Sequence, residues 1–87
     1  MTRAEERAAA VEGRLLEMIR EHYRTYLAEM TTATAVRQVI EQESRQDGVS
    51  RRWTRLFLTM NDALDEADDA RLRVRALVWA LTGWPPA

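Results

Sequence analysis

The chain has no cysteine, no lysine and only one histidine, His22. Without cysteine, a disulfide framework, a thiolate metal site and a thiol nucleophile are all excluded. With one histidine, a metal site built on two imidazoles is excluded as well. His22 falls between Met18 and Tyr26 on the inner face of a predicted helix, where a core histidine hydrogen-bonded to a neighbour is the favoured interpretation. We therefore predict no metal and no cofactor.

The chain also lacks a strong net charge and a long apolar run. A formal net charge of −1 at pH 7 gives no overall attraction for nucleic acid or anionic lipid, so any electrostatic function must be local. The longest apolar run, residues 76–81, is too short to cross a bilayer. Residues 1–6 are acidic and have no apolar segment of the kind that a secretory signal needs. We expect a cytoplasmic protein with no membrane partner.

What is present has the proportions of a globular protein, with 46% apolar and 31% charged residues. The 87 residues suffice for one domain, residues 1–87, that buries roughly 60 to 65% of the surface of its unfolded chain. All 13 basic residues are arginine, and alanine is equally frequent, as the codons of a GC-rich genome produce. This composition fits a small bacterial or phage protein.

The first part of the chain predicts one long amphipathic helix over residues 4–30. Apolar or inward-facing positions recur there at intervals of three and four. They are Ala8, Val11, Leu15, Met18, Ile19, His22, Tyr26 and Met30. Three more, Leu16, Tyr23 and Leu27, widen the stripe to about half the circumference. Gly13 costs about 1 kcal/mol relative to alanine, which indicates a close helix crossing or a slight bend.

Two threonines, Thr31 and Thr32, interrupt this pattern and predict the end of the first helix. A second helix then begins at a threonine cap no later than Thr34. Its inner face consists of Val36, Val39 and Ile40. Residues 45–48 end this helix, with Gly48 suited to the left-handed position that follows a helix.

A third helix is predicted after Ser50, a good N-terminal cap. Its narrow apolar stripe consists of Trp53, Leu56, Phe57, Met60, Leu64 and Ala67. A fourth helix begins at Asp68 or Asp69 and ends at Gly83, since two prolines soon follow. Whether the third and fourth helices are separate or one kinked helix stays open. The predicted fold class is all-α, a small bundle of three or four helices with a long N-terminal helix.

The fourth predicted helix is apolar on two sides. One side carries Val74, Leu77, Val78 and Leu81. The other side carries Leu72, Ala76 and Trp79, with Trp84 nearby. A helix that is apolar on two opposed sides must be sandwiched, so another chain is needed unless the first helix folds back over Trp79. We expect a partner protein, or a second copy in a two-fold homodimer, to bind this second side.

Three arginines, Arg51, Arg52 and Arg55, open the third predicted helix. The helix dipole disfavours a cation at this place by roughly 0.3 to 1 kcal/mol. Arginines at this place therefore indicate either an anionic partner or a chance arrangement.

Residues 40–59 give the alternative function, a small DNA-binding regulator with a helix-turn-helix-like segment. The arginines would then face nucleic acid, with Arg45 near a phosphate. Glu43 and Asp47 stand where that motif keeps apolar or small residues. An ordinary helical hairpin is therefore the favoured interpretation of the segment, and nucleic acid is the less favoured partner.

Four carboxylates share one outer face of the third predicted helix. They are Asp62, Asp65, Glu66 and Asp69. A straight helix rarely supplies the six or more oxygens that calcium takes, so we interpret them as a solvated face partly neutralised by Arg73. Acid–base catalysis needs convergent groups in a pocket, for which short helices leave little room. We therefore predict no catalytic residues and no small-molecule substrate. The predicted function is that of a small non-catalytic helical interaction protein that acts through protein–protein contact and self-associates.

Overall fold

A computed structural model of the chain consists of two long helices, α1 (Arg3–Gln46) and α2 (Arg51–Thr82). The structure describes residues 2–46 and 51–83, and for residues 44–46 the backbone only. No strand occurs in these ranges, so the all-α prediction is confirmed. The predicted bundle of three or four helices is wrong, because α1 and α2 form one extended helical hairpin.

The break predicted at Thr31 and Thr32 is wrong, since α1 continues through both residues. The hydroxyl of Thr31 donates a hydrogen bond to the carbonyl of Leu27 at 2.8 Å. The hydroxyl of Thr32 donates to the carbonyl of Ala28 at 3.1 Å, and Thr34 bonds in the same way to the preceding turn. Because these hydroxyls are satisfied inside the helix, none of them caps a second helix.

The fourth-helix cap predicted at Asp68 or Asp69 is also wrong, since α2 continues through both residues. The carboxylate of Asp68 pairs with Arg71 at 2.9 Å. The carboxylate of Asp69 pairs with Arg73 at 3.1 Å. A capping carboxylate would instead accept hydrogen bonds from backbone N–H groups of the following turn. The third and fourth predicted helices are therefore one helix.

The first and last helix ends have recognisable caps. Thr2 Oγ1 accepts a hydrogen bond from the backbone N of Glu5 at 3.2 Å, as an N-terminal cap does. Gly83 has a φ of 75° and its backbone N donates to the carbonyl of Trp79 at 2.8 Å, the left-handed ending that glycine favours. The predicted helix end at Gly83 is therefore confirmed. Four other predicted end signals lie outside the described residues: Gly48, Ser50, Pro85 and Pro86.

The helices pack along a seam that repeats every seven residues. In α2 the seam consists of Trp53, Leu56, Met60, Ala63, Ala67, Ala70, Val74, Leu77 and Leu81. In α1 it consists of Leu15, Ile19, His22, Tyr26, Glu29, Ala33, Val36, Ile40 and Glu43. Intervals of three and four alternate throughout, and every seam residue is buried or half-buried. Leu15 and Leu81 line one groove, while Glu43 pairs with Arg52 at 3.4 Å near the connection, so the helices are antiparallel.

The helices differ in length, so the N-terminal part of α1 extends past the end of α2. At a rise of 1.5 Å per residue, α1 is about 66 Å long and α2 about 48 Å. Gly13 lies beside the end of α2, since Glu12 and Leu15 line one groove with Leu81, and a Cβ added at Gly13 would meet no described atom within 4 Å. Of the two alternatives for Gly13, the close helix crossing is therefore wrong, and the slight bend stays a prediction.

The tightest part of the seam is made of alanine. Ala63, Ala67 and Ala70 of α2 and Ala33 of α1 are only 2 to 5% exposed. No large side chain of the described residues is fully buried. An alanine removes little apolar area from water, so the core of the hairpin is thin.

The shape of the molecule follows from this single layer of two helices. The principal extents are 67 × 24 × 15 Å, and the radius of gyration is 19.4 Å. A compact domain of this length has a radius of gyration of about 12 Å. The chain is therefore a rod with a large surface for its size.

We predict that enlarging an alanine of the seam destabilises the hairpin. Ala67→Leu should lower the free energy of unfolding by about 1 to 3 kcal/mol, because a larger side chain must push the helices apart. The matched control is Ala28→Leu on the exposed surface of α1, which should stay within about 0.5 kcal/mol of the parent. Urea denaturation followed by circular dichroism measures both, and equal stability of the two variants would contradict a tight alanine seam.

We also predict that Thr32→Ala leaves the hairpin as stable as the parent or stabilises it by up to about 0.7 kcal/mol, because alanine is the better helix former. Thr59→Ala is the matched control, since the hydroxyl of Thr59 donates to the carbonyl of Arg55 inside α2. Both variants should shift the thermal midpoint in the same direction. Loss of about 1 kcal/mol in Thr32→Ala alone would instead indicate a helix cap.

Candidate functional site

Large apolar side chains lie on the surface of both helices. Nine of them in the described residues are 38 to 61% exposed. They are Val11, Leu16, Tyr23 and Leu27 of α1, and Phe57, Leu58, Leu64, Leu72 and Val78 of α2. Single exposed apolar residues are common on protein surfaces, whereas a contiguous patch of them indicates a contact site. The question is therefore whether these nine residues are contiguous.

On α1, Leu16, Tyr23 and Leu27 form one stripe together with half-buried Met30. Leu16, Tyr23 and Met30 are spaced by seven, and Leu27 lies one turn from the last two. Each of the three spaced residues directly follows a seam residue, so it lies about 100° around the helix from the seam. The stripe therefore runs along one flank of α1.

On α2 three exposed residues follow seam residues in the same way. Phe57, Leu64 and Val78 come directly after Leu56, Ala63 and Leu77. The seam has two positions in each seven-residue repeat, and these residues follow the second of them. In two antiparallel right-handed helices, the positions that follow the second seam position lie on the same side of the pair. Met30 and Leu64 line one crevice, which places the two flanks side by side.

Together these side chains form what we call the lateral face. It consists of Leu16, Tyr23, Leu27, Met30, Phe57, Leu64 and Val78. The opposite flank of α2, made of the residues that precede the seam, carries Arg52, Thr59, Glu66 and Arg73. The lateral face therefore combines large apolar side chains of both helices. The opposite side combines these polar residues and Ala80 of α2 with Val11, Met18 and Val39 of α1.

Two arginines at lateral-face positions are paired within their own helix: Arg37 beyond the end of the α1 stripe, and Arg71 between Leu64 and Val78 on α2. Arg37 pairs with Glu41 at 3.2 Å, and Arg71 pairs with Asp68 at 2.9 Å. Arg37 and Arg71 stand at the same seven-residue positions as Met30 and Leu64. The face is therefore close to neutral at both positions.

The partner-binding residues predicted from the sequence lie on the outer surface of α2. Leu72 and Ala76 are exposed, and Trp79 is half-buried. The guanidinium of Arg75 stands 4.7 Å from the ring centroid of Trp79, so a residue of α2 itself covers part of the indole. The seam lies on the opposite side of α2, so α1 does not fold over this stripe. Trp84 lies outside the described residues.

The sequence interpretation missed the lateral face, although it had assigned each of its residues to an apolar stripe. It assigned Phe57 and Leu64 to a buried stripe with Trp53, and Val78 to a buried face with Leu77. The structure leaves Phe57, Leu64 and Val78 exposed. Phe57 stacks on Trp53 with ring centroids 5.2 Å apart, so it flanks the seam without entering it. The seven-residue spacing of the seam is the signal that separates the two sets.

The arginines predicted to contact an anion lie at the start of α2. Arg51, Arg52 and Arg55 are exposed, and Arg52 pairs with Glu43 of α1. The side chain of Arg45 lies outside the described residues. A helix-turn-helix crosses its helices at about 90 to 120°, whereas α1 and α2 lie antiparallel. DNA binding therefore stays a prediction that rests on the arginines alone.

The four carboxylates of α2 and the imidazole of His22 do not converge on one site. Asp62, Asp65, Glu66 and Asp69 are exposed on α2, and the predicted pairing of Asp69 with Arg73 is confirmed. Within residues 2–46 and 51–83, no three acidic or histidine side chains form a group that could hold a metal ion. His22 is half-buried in the seam, and the hydrogen bonds of the described residues include none from its imidazole.

No protein-family model, curated protein or solved structure matches this chain. Neither helix, over the residues described, has a stretch long and apolar enough to span a bilayer. The lateral face is the apolar surface that both helices share.

We predict that the arginines at the start of α2 differ in their effect on stability. Arg52→Gln should lower the free energy of unfolding by about 0.2 to 1 kcal/mol, since it breaks an exposed ion pair with Glu43. The double variant Arg51→Gln/Arg55→Gln should leave stability unchanged or slightly raised, because the helix dipole disfavours both cations. Thermal denaturation measures both variants. A marked loss of stability in the double variant would show that Arg51 or Arg55 is a structural partner of the protein's own carboxylates.

Proposed function

We propose that this protein is a small non-catalytic helical interaction protein that acts through protein–protein contact and associates with a second copy of itself. The observation that carries the proposal is that small side chains form the core while large apolar side chains lie on the surface. The buried core of the described residues consists of alanines and Ile40, while nine large apolar side chains stay exposed. An isolated hairpin of this kind leaves these nine side chains largely in contact with water.

The surface area of the hairpin supports the proposal. The chain exposes 7035 Å². A compact monomer of 10.1 kDa exposes about 5,300 Å². The excess is roughly a third of the expected area, and it is larger than the roughly 800 Å² that each partner contributes to a standard interface.

The distribution of polar groups supports contact rather than chemistry. Charged side chains pair along the surface of each helix, as Arg14 does with Glu17 at 3.2 Å. A catalytic site needs acid, base or nucleophile groups that converge on one substrate position. A second copy is the partner we favour, because two-fold homodimers are the commonest small assemblies and need no other component. The cytoplasmic location expected from the sequence stays a prediction.

We predict that the parent protein forms a reversible dimer in the micromolar range. Sedimentation velocity should give a mass of two chains at the upper end of this range and partial dissociation on dilution. The thermal midpoint should rise with protein concentration, because association stabilises the folded state by mass action. A protein that sediments as one chain at every concentration, with a constant thermal midpoint, would overturn self-association.

A further inference from the structure

We propose that the second copy docks on the lateral face, so that two hairpins form a four-helix bundle. This inference rests on the proposed self-association and adds the surface that carries it. It moves the interface from the outer stripe of Leu72, Ala76 and Trp79, predicted from the sequence, to the flank shared by α1 and α2.

The apolar pattern of the helices is that of a bundle. A helix of a two-stranded coiled coil needs apolar residues at two of seven positions, whereas a helix in a bundle presents three of seven. The seam supplies two positions of each repeat in both helices, and the lateral face adds the position that follows. The third position is only partly covered within the hairpin, where Leu64 lies beside Met30 and Phe57 stacks on Trp53. A second layer of helices is what buries it.

The size of the lateral face matches what a stable dimer needs. Leu16 to Met30 spans about 21 Å along α1, and Phe57 to Val78 spans about 32 Å along α2. Two helices side by side are about 20 Å wide. The face therefore covers roughly 530 Å² per chain, and two copies bury about 1,060 Å², just above the roughly 1,000 Å² that a biological interface should clear.

The charges at lateral-face positions allow two identical faces to meet. Like charges placed opposite each other across an interface oppose association. Arg37 and Arg71 are the cations at lateral-face positions, and each pairs with a carboxylate of its own helix. A second copy therefore meets ion pairs rather than bare cations.

The outer stripe of α2 is the weaker surface. It is one helix wide, whereas the lateral face spans two helices. Arg75 already covers part of the Trp79 ring, and displacing it removes a cation–π contact. Leu58 and Leu72, although 61% and 47% exposed, lie on this outer surface away from α1.

Matched double variants test the assignment. The lateral variant is Leu27→Gln/Leu64→Gln, and the outer variant is Leu58→Gln/Leu72→Gln. All four leucines are exposed in the hairpin, so the same chemical change is made at surface positions in both cases. Sedimentation at several concentrations gives the dimer dissociation constant, and circular dichroism reports whether each variant keeps its helices.

We expect the lateral variant to raise the dissociation constant by about a hundredfold or more, since four leucines per dimer lose their burial. The outer variant should stay within about threefold of the parent, because its leucines are solvated in both states. If glutamine lowers the helix content, Leu27→Ala/Leu64→Ala removes the same contacts with the best helix former.

The outcomes separate this inference from the proposed function. A parent that is monomeric overturns self-association itself. A dimeric parent that the outer variant dissociates, while the lateral variant does not, overturns the lateral face and returns the interface to the outer stripe. A dimer that neither variant weakens overturns the lateral face as well. Only selective loss of the dimer in the lateral variant supports the inference.

Discussion

The alanine seam is the constraint on which the rest of the structure depends. Ala63, Ala67 and Ala70 occupy three successive seam positions of α2, and Ala33 is the corresponding buried alanine of α1. Small side chains let two helices pack closely, but they remove little apolar area from water. The hairpin therefore holds its helices in register without forming a core of large side chains, and the large side chains remain at the ends of the seam and on its flank.

The outward location of the large apolar residues follows from the same constraint. Where the seam is narrow, a leucine one position further around the helix cannot turn inward, so Leu64 stays exposed beside buried Ala63. The same holds on α1, where Tyr23 and Leu27 lie outside the seam residues His22 and Tyr26. The lateral face is thus the apolar surface that a close-packed helix pair has no room to bury.

The alanine seam also explains how much of the fold the sequence could predict. Helical periodicity and the glycine at position 83 correctly predict the helix type and the last helix end. The false breaks fall near Glu29 and Ala67, where the seam has no large apolar residue, so the periodic signal fades although the helix continues. The stripe on α1 was visible, but the lateral face was not, because it arises only when two antiparallel helices place their flanks together, a relation that neither helix encodes alone.

A thin seam and a broad apolar flank suit a protein whose function is contact. Ordering flexible segments during association costs free energy, and a surface held in place beforehand avoids that cost. The seam fixes the spacing and register of α1 and α2, so that Met30 and Leu64 stand in one crevice before a partner arrives. If the seam held large side chains, the helices would lie farther apart and the two halves of the face would separate. Close packing by alanine and the side-by-side placement of the two halves of the lateral face are therefore two consequences of one helix spacing.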